Sequence, residues 1–438
     1  MIEGTNAAEI ALSVEGELGS GELAPGQLLP PIRQLAAQLG VNPNTVAAAY
    51  RTLRERGVIE TAGRRGSRIR ERPATTPRET LGVQVPQGVA DVSQGNPDPA
   101  LLPSLRAALA AAAPRYGAGA PLYGGPSLAE EFETLAREQL LRDGVPPGPL
   151  AATSGASDAI ERVLAAHLRP GDAVALEDPG WGSLLDLVPS LGLRPVPVAL
   201  DDDGPLPASV AGALERGARA LLVTTRAQNP TGAALSADRA KELRPLLAAR
   251  PETLLIEDDH GHGIVAAPPQ LLAGATRHWA LVRSTAKAYG PDLRLAVLTG
   301  DEVTLDRVRG RQRLGPGWVS HLLQTTVSEL WRAGAVDPAA VGAAYDRSRG
   351  RLLDRLARQG VRAQGRSGMN VWVPVPEESA VVSRLLLAGW AVAPGARFRL
   401  SSPPAVRLTV SGLADARIDA LADAVAEAVR PGPARRYG

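Results

Sequence analysis

The sequence predicts an α/β protein with a small helical module in front of it and a smaller α+β unit behind it. Three observations predict this. From Val92 onward, short apolar runs alternate with helical patterns, the signature of a mainly parallel sheet covered on both faces. Residues 6–72 read instead as helix, turn, helix and then a basic hairpin, the order of a winged helix-turn-helix. After about Pro316 longer helices come first and a few further strands follow. With 438 residues the chain is long enough for two or three domains, and the expected divisions are 1–72, a linker at 73–91, a large domain at 92–316 and a small one at 317–430.

In the first module, Ala7 to Leu18 has helical apolar spacing and Ile32 to Leu39 is a short helix stopped by Gly40. Val41-Asn-Pro-Asn is a tight turn in which Asn42 or Asn44 can cap the next helix, Thr45 to Arg56. Val58–Thr61 and Ser67–Arg70 form a hairpin around Ala62-Gly-Arg-Arg-Gly. Residues 73–90 are rich in proline, threonine and glycine without periodicity, as in a linker. In the large domain the expected strands are Ala173–Leu176, Pro195–Val198, Ala220–Thr224, Thr253–Ile256, Ala280–Arg283 and Ala296–Leu298, with helices such as Ser157–His167 and Asp238–Arg250 between them. Met369–Val375, Trp390–Val392 and Ala405–Val410 are expected strands of the small unit.

Composition narrows the chemistry. The absence of cysteine excludes disulfides, iron–sulfur clusters and cysteine-based zinc sites. The amino terminus lacks the basic-then-apolar order of a signal peptide, and no apolar run approaches a membrane span, so an intracellular, cytoplasmic protein is expected. Net charge is only +2, so affinity for nucleic acid requires local clustering. Such a cluster exists: Arg33 to Arg72 hold nine arginines against Glu55, Glu60 and Glu71. A basic face of this kind suits a phosphate backbone.

Of the 48 basic residues only Lys241 and Lys287 are lysines. Guanidinium never loses its proton near neutral pH, so a lysine retained in such a chain is a candidate for work that needs a free amine, above all a Schiff base with an aldehyde cofactor. Lys241 sits in a polar helical stretch and reads as solvated, whereas Lys287 follows an apolar strand, where α/β proteins hold ligands. Two more polar groups follow neighbouring strands: Asn229 in Asn-Pro-Thr-Gly, and Asp258 after Leu254-Leu-Ile-Glu. An amine, a carboxylate and an amide on one sheet edge suit a pyridine aldehyde. The amine forms the imine, the carboxylate keeps the ring nitrogen protonated, and the amide meets the ring hydroxyl. Backbone N–H groups at Ser154-Gly-Ala-Ser157 can bind a phosphate at a helix N-terminus. Singly these are common turn and cap patterns; their shared position gives them weight.

Residues 92–428 resemble the fold type I aminotransferases, which bind pyridoxal 5′-phosphate, and residues 6–72 resemble the GntR winged-helix family. The fusion is similar to the MocR subfamily of bacterial regulators, to which GabR belongs. The resemblance implies Lys287 as the lysine of the internal aldimine, Asp258 as partner of the pyridine nitrogen and Asn229 as neighbour of the ring hydroxyl. It further implies Ser284, Arg294 and the amides of Ala156 and Ser157 as phosphate ligands, Trp181 stacked on the ring, and Arg407 for the α-carboxylate of an effector or substrate. Tyr123 falls where the family reaches the neighbouring subunit's cofactor, which implies a homodimer. Two departures bear on transamination rather than on cofactor binding. His260 stands where many relatives have a tyrosine near the ring hydroxyl, and the segment after Tyr123 is short and lacks the arginine common there.

For operator DNA the resemblance implies Arg33 at a phosphate, Asn44, Thr45 and Arg51 at or on the recognition helix, and Arg64, Arg65 and Gly66 at the wing tip, while Val46, Leu53 and Ile59 fill the core. The implied function is a transcription regulator that senses pyridoxal phosphate, or an amine or amino acid reacting with it, at Lys287. The alternatives are a working aminotransferase with an accessory DNA-binding module, and a cofactor sensor that never meets an amine. No metal is expected.

Overall fold

The structure, a computed structural model, describes residues 2–20, 22–24, 26–55, 58–61, 66–70, 78, 85–117, 119 and 121–430. The first module has helices α1 (Ala7–Ser20), α2 (Ile32–Leu39) and α3 (Pro43–Glu55), then the antiparallel strands β1 (Ile59–Thr61) and β2 (Ser67–Ile69). Gly40 ends α2 at φ 69°, a left-handed conformation that costs glycine little. α3 starts two residues before the expected Thr45. Proline is well placed at a first helical position, and it is Asn42, not Asn44, whose side chain accepts the Asn44 N–H at 2.8 Å. Val46, Leu53 and Ile59 are buried together with Ile10, Leu35 and Ile69, so one small core holds helices and hairpin. Tyr50 donates to the Pro30 carbonyl at 2.8 Å and joins the turn before α2 to α3.

The large domain is built on seven strands: β4 (Leu150–Thr153), β5 (Ala173–Glu177), β6 (Arg194–Val198), β9 (Ala218–Thr224), β10 (Leu254–Asp259), β11 (His278–Ser284) and β12 (Ala296–Gly300). Between β6 and β9 lies a two-residue ribbon, β7 (Leu200–Asp201) and β8 (Gly204–Pro205). The sheet order is β4-β12-β11-β10-β9-β5-β6, and only β12 runs antiparallel to its neighbours. β12 is reached from β11 by a short return that carries Lys287, and a short return without a crossover makes neighbouring strands antiparallel. Side chains alternate between two cores: Leu221, Val223, Leu255 and Leu281 pack on one face, Leu222, Ile256, Val282 and Leu298 on the other. β4 has no counterpart among the expected strands, because Leu-Ala-Ala-Thr has little β-branched or aromatic content.

The small domain pairs β13 (Asn370–Pro374), β16 (Ala405–Thr409) and β15 (Ala393–Pro394) antiparallel, under the long helix Pro338–Arg358 and the helix Asp415–Val429. β3 (Ala90–Asp91), at the end of the expected linker stretch, pairs with β14 (Trp390–Ala391) of this domain rather than with the large sheet. Of the linker stretch, residues 73–77 and 79–84 lie outside the described residues. Arg78 is described, and its Nε donates to Asp186 at 2.9 Å.

Asp178, just past β5, fastens the two domains. Its carboxylate accepts hydrogen bonds from the amides of Leu400, Ser401 and Ser402 and from both serine hydroxyls, all at 2.8–2.9 Å. Asp178→Ala is expected to lower stability by about 3 kcal/mol or more, since hydrogen bonds to a charged acceptor each contribute about 1.5–3 kcal/mol. Denaturant unfolding of the whole chain measures the loss, and amide hydrogen exchange localises it to residues 400–402.

Candidate functional site

Three strand ends and the small domain enclose a cavity of about 380 Å³. Lys287 lies on the single helical turn Ala286–Tyr289 that follows β11. Strand alternation sends the adjacent Asp258 and Asp259 to opposite faces. Asp259 is fully buried, and its oxygens take Arg226 at 2.7 and 3.1 Å and Arg283 at 2.9 Å. Burial alone would raise its pKa, but the two guanidinium groups outweigh that and hold it well below the usual carboxylate range. Asp258 goes the other way, and its Oδ2 lies 2.8 Å from Nδ1 of His260 on the cavity wall.

At the other end of the cavity, strand β4 leads through Gly155 (φ 91°) into the helix Ala156–His167. Ala156, Ser157, Ser284 and Arg294 line this end. A Cβ on Gly155 would lie 2.9 Å from Nη2 of Arg294, so only glycine lets the helix N-terminus and this guanidinium approach each other. Arg294 itself sits at φ 43°, ψ 47°, and donates to the Ser154 carbonyl at 3.2 Å. Exposed N–H groups, two hydroxyls and one guanidinium form a cup for a phosphate.

Trp181, Asn229, His260 and Arg407 line the same cavity, with Phe398, Met369 and Asn370 from the small domain. Arg407 is buried, at 3% exposed. Its guanidinium donates to Asn229 Oδ1 at 2.9 Å and to the Ser93 carbonyl at 2.5 Å, and lies 4.7 Å from the Phe398 ring centroid. Lys287 Nζ donates to the Gly95 carbonyl. The segment 93–96 therefore holds both the amine and the guanidinium. Sequence reasoning missed this segment because it acts through main-chain carbonyls, which every residue has. Phe398 was missed as a lone aromatic in a polar stretch.

Both ring nitrogens of His260, which the resemblance places by a ring hydroxyl, have partners: Nδ1 meets Asp258 and Nε2 the Ala227 carbonyl at 2.8 Å. Tyr123 is 93% exposed and lies outside the cavity, edge-on to Trp318 at 5.6 Å.

On the amino-terminal module Arg33, Asn44, Arg51 and Gly66 are exposed and Thr45 is half-buried. Gly66 has φ 95°. Arg64 and Arg65 lie outside the described residues. Glu60 takes up part of the expected basic face: it pairs with Arg68 across the hairpin, at 2.6 Å to Nε. No group of three or more histidine, aspartate or glutamate side chains among the described residues could hold a metal ion, and no described helix is long and apolar enough to cross a membrane.

Residues 88–425 match the family described as aminotransferase class I and II, and residues 6–69 match the bacterial regulatory proteins of the gntR family. The chain belongs to the MocR-type regulators, which join these two parts. It is 39% identical, over 98% of its length and 100% of the relative's, to the vitamin B6 salvage pathway transcriptional repressor PtsJ of Salmonella typhimurium. It is 27% identical to the regulator TauR of Rhodobacter capsulatus, over 86% of each chain. Among solved structures, LysN, an α-aminoadipate aminotransferase from Thermus thermophilus, matches 82% of this chain and 95% of its own with a TM-score of 0.69 at 24% identity, a likeness of fold.

This MocR-type chain is a transcription regulator of the pyridoxal phosphate type, and its cofactor is pyridoxal 5′-phosphate. The residues present fit that group. The Gly155–Arg294 cradle suits its phosphate, and Oδ1 of Asp258 is a buried carboxylate oxygen with no hydrogen-bond partner among the described residues. Gly155→Ala is expected to weaken cofactor binding about tenfold, because a side chain at this φ and at 2.9 Å from Arg294 adds strain of order 1–3 kcal/mol. Absorbance titration with pyridoxal phosphate measures it.

Proposed function

We propose that the chain binds operator DNA as a homodimer and changes its affinity for DNA when the cavity at Lys287 is filled. Bound pyridoxal phosphate supplies an aldehyde carbon that condenses with a primary amine and a ring that draws electrons from it. In this reading Lys287 is the attached amine, Asp258 holds the ring nitrogen, and Asn229 stands by the ring hydroxyl. Ala156, Ser157, Ser284 and Arg294 hold the phosphate, Trp181 covers the ring, and Arg407 receives the carboxylate of an amino-acid effector.

The observation that carries the reading is the double attachment of segment 93–96. Lys287 and Arg407, the two groups a cofactor and an anionic effector would claim, are both bonded to its carbonyls. The same segment follows directly on β3 and the linker from the DNA-binding module. With the cofactor held at Lys287, that amine would no longer be available to the Gly95 carbonyl, and a carboxylate held by Arg407 would compete with the Ser93 carbonyl. Filling the cavity therefore acts on the chain that leads to the DNA-binding module, which is the differential contact a ligand needs to shift an equilibrium. The name of the Salmonella relative, a repressor of vitamin B6 salvage, supports the cofactor itself as one effector.

Homodimer formation is supported by exposed apolar side chains: Leu122 is 76% exposed, Tyr123 93% and Leu314 91%. On the DNA side, Arg33 and Arg51 meet phosphates, Asn44 and Thr45 lie at the recognition helix, and the hairpin forms the wing.

In the wild type, operator affinity is expected to change on adding pyridoxal phosphate, and Lys287→Ala to abolish both that change and the near-visible absorbance of the bound cofactor. Fluorescence anisotropy with operator DNA and absorption spectra check this. Unchanged affinity in a protein that clearly binds the cofactor refutes the coupling. Arg51→Ala is expected to weaken binding to all sequences and to reduce the salt slope by about one. A second reading, a working aminotransferase, is favoured by Lys287 and Arg407 sharing one cavity. Steady turnover of an amino donor and a 2-oxo acid without operator binding would establish it instead.

A further inference from the structure

His260 does not behave as a spare cavity histidine. Its side chain is 15% exposed and both ring nitrogens face acceptors. Nε2 lies 2.8 Å from the Ala227 carbonyl, which has no proton to give, so Nε2 carries one. Nδ1 lies 2.8 Å from Oδ2 of Asp258. Two lone pairs cannot face each other at that distance, so a second proton lies between nitrogen and carboxylate. Burial alone would lower the imidazole pKa, yet Asp258 and the Ala227 carbonyl together raise it above the ordinary histidine value.

The surroundings keep this arrangement in place. Ala227 is in the left-handed region at φ 55°, and its N–H donates to Ser367 Oγ at 2.8 Å. A Cβ on Gly368 would come within 2.6 Å of the Ala227 Cβ, so no larger residue fits there without moving the carbonyl. Immediately after the histidine, a Cβ on Gly261 would lie 2.7 Å from Arg226 Cγ. The carbonyl that anchors Nε2 and the main chain that carries the ring are thus both confined. Asp258 Oδ2 is committed to His260, and Oδ1 is the carboxylate oxygen left over.

We infer that His260 is a positioning residue that fixes the Asp258 carboxylate through a shared proton, leaving one oxygen to receive the N–H of the cofactor ring. It does so in place of touching the ring hydroxyl. It is also no general base in this state, because neither nitrogen has a lone pair to offer. The inference rests on the reading of Asp258 as the ring-nitrogen partner.

The test has two arms. In the cofactor-free whole chain, labelled with ¹⁵N-histidine, nuclear magnetic resonance at pH 8 is expected to show one of the five histidines protonated on both nitrogens, and Asp258→Asn to abolish that state. In the second arm, pyridoxal phosphate dissociation constants are measured for His260→Phe, His260→Asn, Asp258→Asn and the double variant His260→Phe with Asp258→Asn. Loss of a charge-assisted hydrogen bond is expected to weaken binding about tenfold or more in His260→Phe, and His260→Asn, which keeps an N–H near the Nδ1 position, to stay within about threefold of the wild type. In the Asp258→Asn background, His260→Phe is expected to have no further effect, because both act on one carboxylate. Additive effects of the two substitutions, or five histidines that are all neutral at pH 8, overturn the inference. A wild type that shows the doubly protonated histidine, with Asp258→Asn leaving the affinity for pyridoxal phosphate unchanged, overturns the reading of Asp258 as ring-nitrogen partner instead.

Discussion

The cavity depends on an ion cluster that does not touch it. Asp259, Arg226 and Arg283 meet on the far face of the sheet, joining the ends of β9, β10 and β11. Each has a chain neighbour at the site: Asp258 and His260 flank Asp259, Ala227 follows Arg226, and Ser284 follows Arg283. Asp143 completes the charge count by pairing with Arg283 at 2.7 Å. A buried cluster of this kind adds little net stability, since desolvation consumes most of the Coulomb gain. Its contribution is geometric. Rigid pairing on one face fixes the strand ends in register and thereby fixes what the other face presents.

The near face is built with a different economy. Its cations donate to neutral acceptors: Arg407 to an amide oxygen and a carbonyl among its contacts, Lys287 to a carbonyl among its own, Arg294 to another. Neutral acceptors satisfy a buried cation without cancelling its charge, so the site stays attractive to a phosphate and a carboxylate. Such acceptors can also be displaced, whereas the carboxylate-locked arginines behind the sheet cannot be without exposing an unpaired buried charge. One face is thus fixed and the other exchangeable. For a sensor whose ligand must alter a main-chain segment, that contrast is the physical requirement.

Much of this was legible in advance. Alternation of apolar runs and helical spacing gave the α/β core, and helix, turn, helix and a basic hairpin before it gave the winged helix, because burial on two faces or one leaves a periodic trace. Lys287 stood out by rarity, and Asp258 and Asn229 by following apolar strands. The alanine-rich β4 left no such trace, nor did the Ser93 and Gly95 carbonyls, since a backbone group has no residue-type signature. Arg226 and Arg283 were visible as letters, but nothing local says that an arginine at a strand end is buried rather than solvated.

The sequence alone therefore determined the order of the elements, the two-part architecture and the set of polar groups brought to one sheet edge, because strand and helix periods, together with connection lengths, are local properties of a chain. Tertiary structure alone decided which of two adjacent aspartates meets the cavity-lining His260 and keeps a buried oxygen without a hydrogen bond, that His260 turns to a carboxylate, and that Lys287 and Arg407 share one strap. Asp258 and His260 are near in the chain, but the groups that fix their roles and those of Lys287 and Arg407 (Ala227, Arg226, Gly95 and Ser93) lie tens to hundreds of residues from them and are brought close only once the strands are packed.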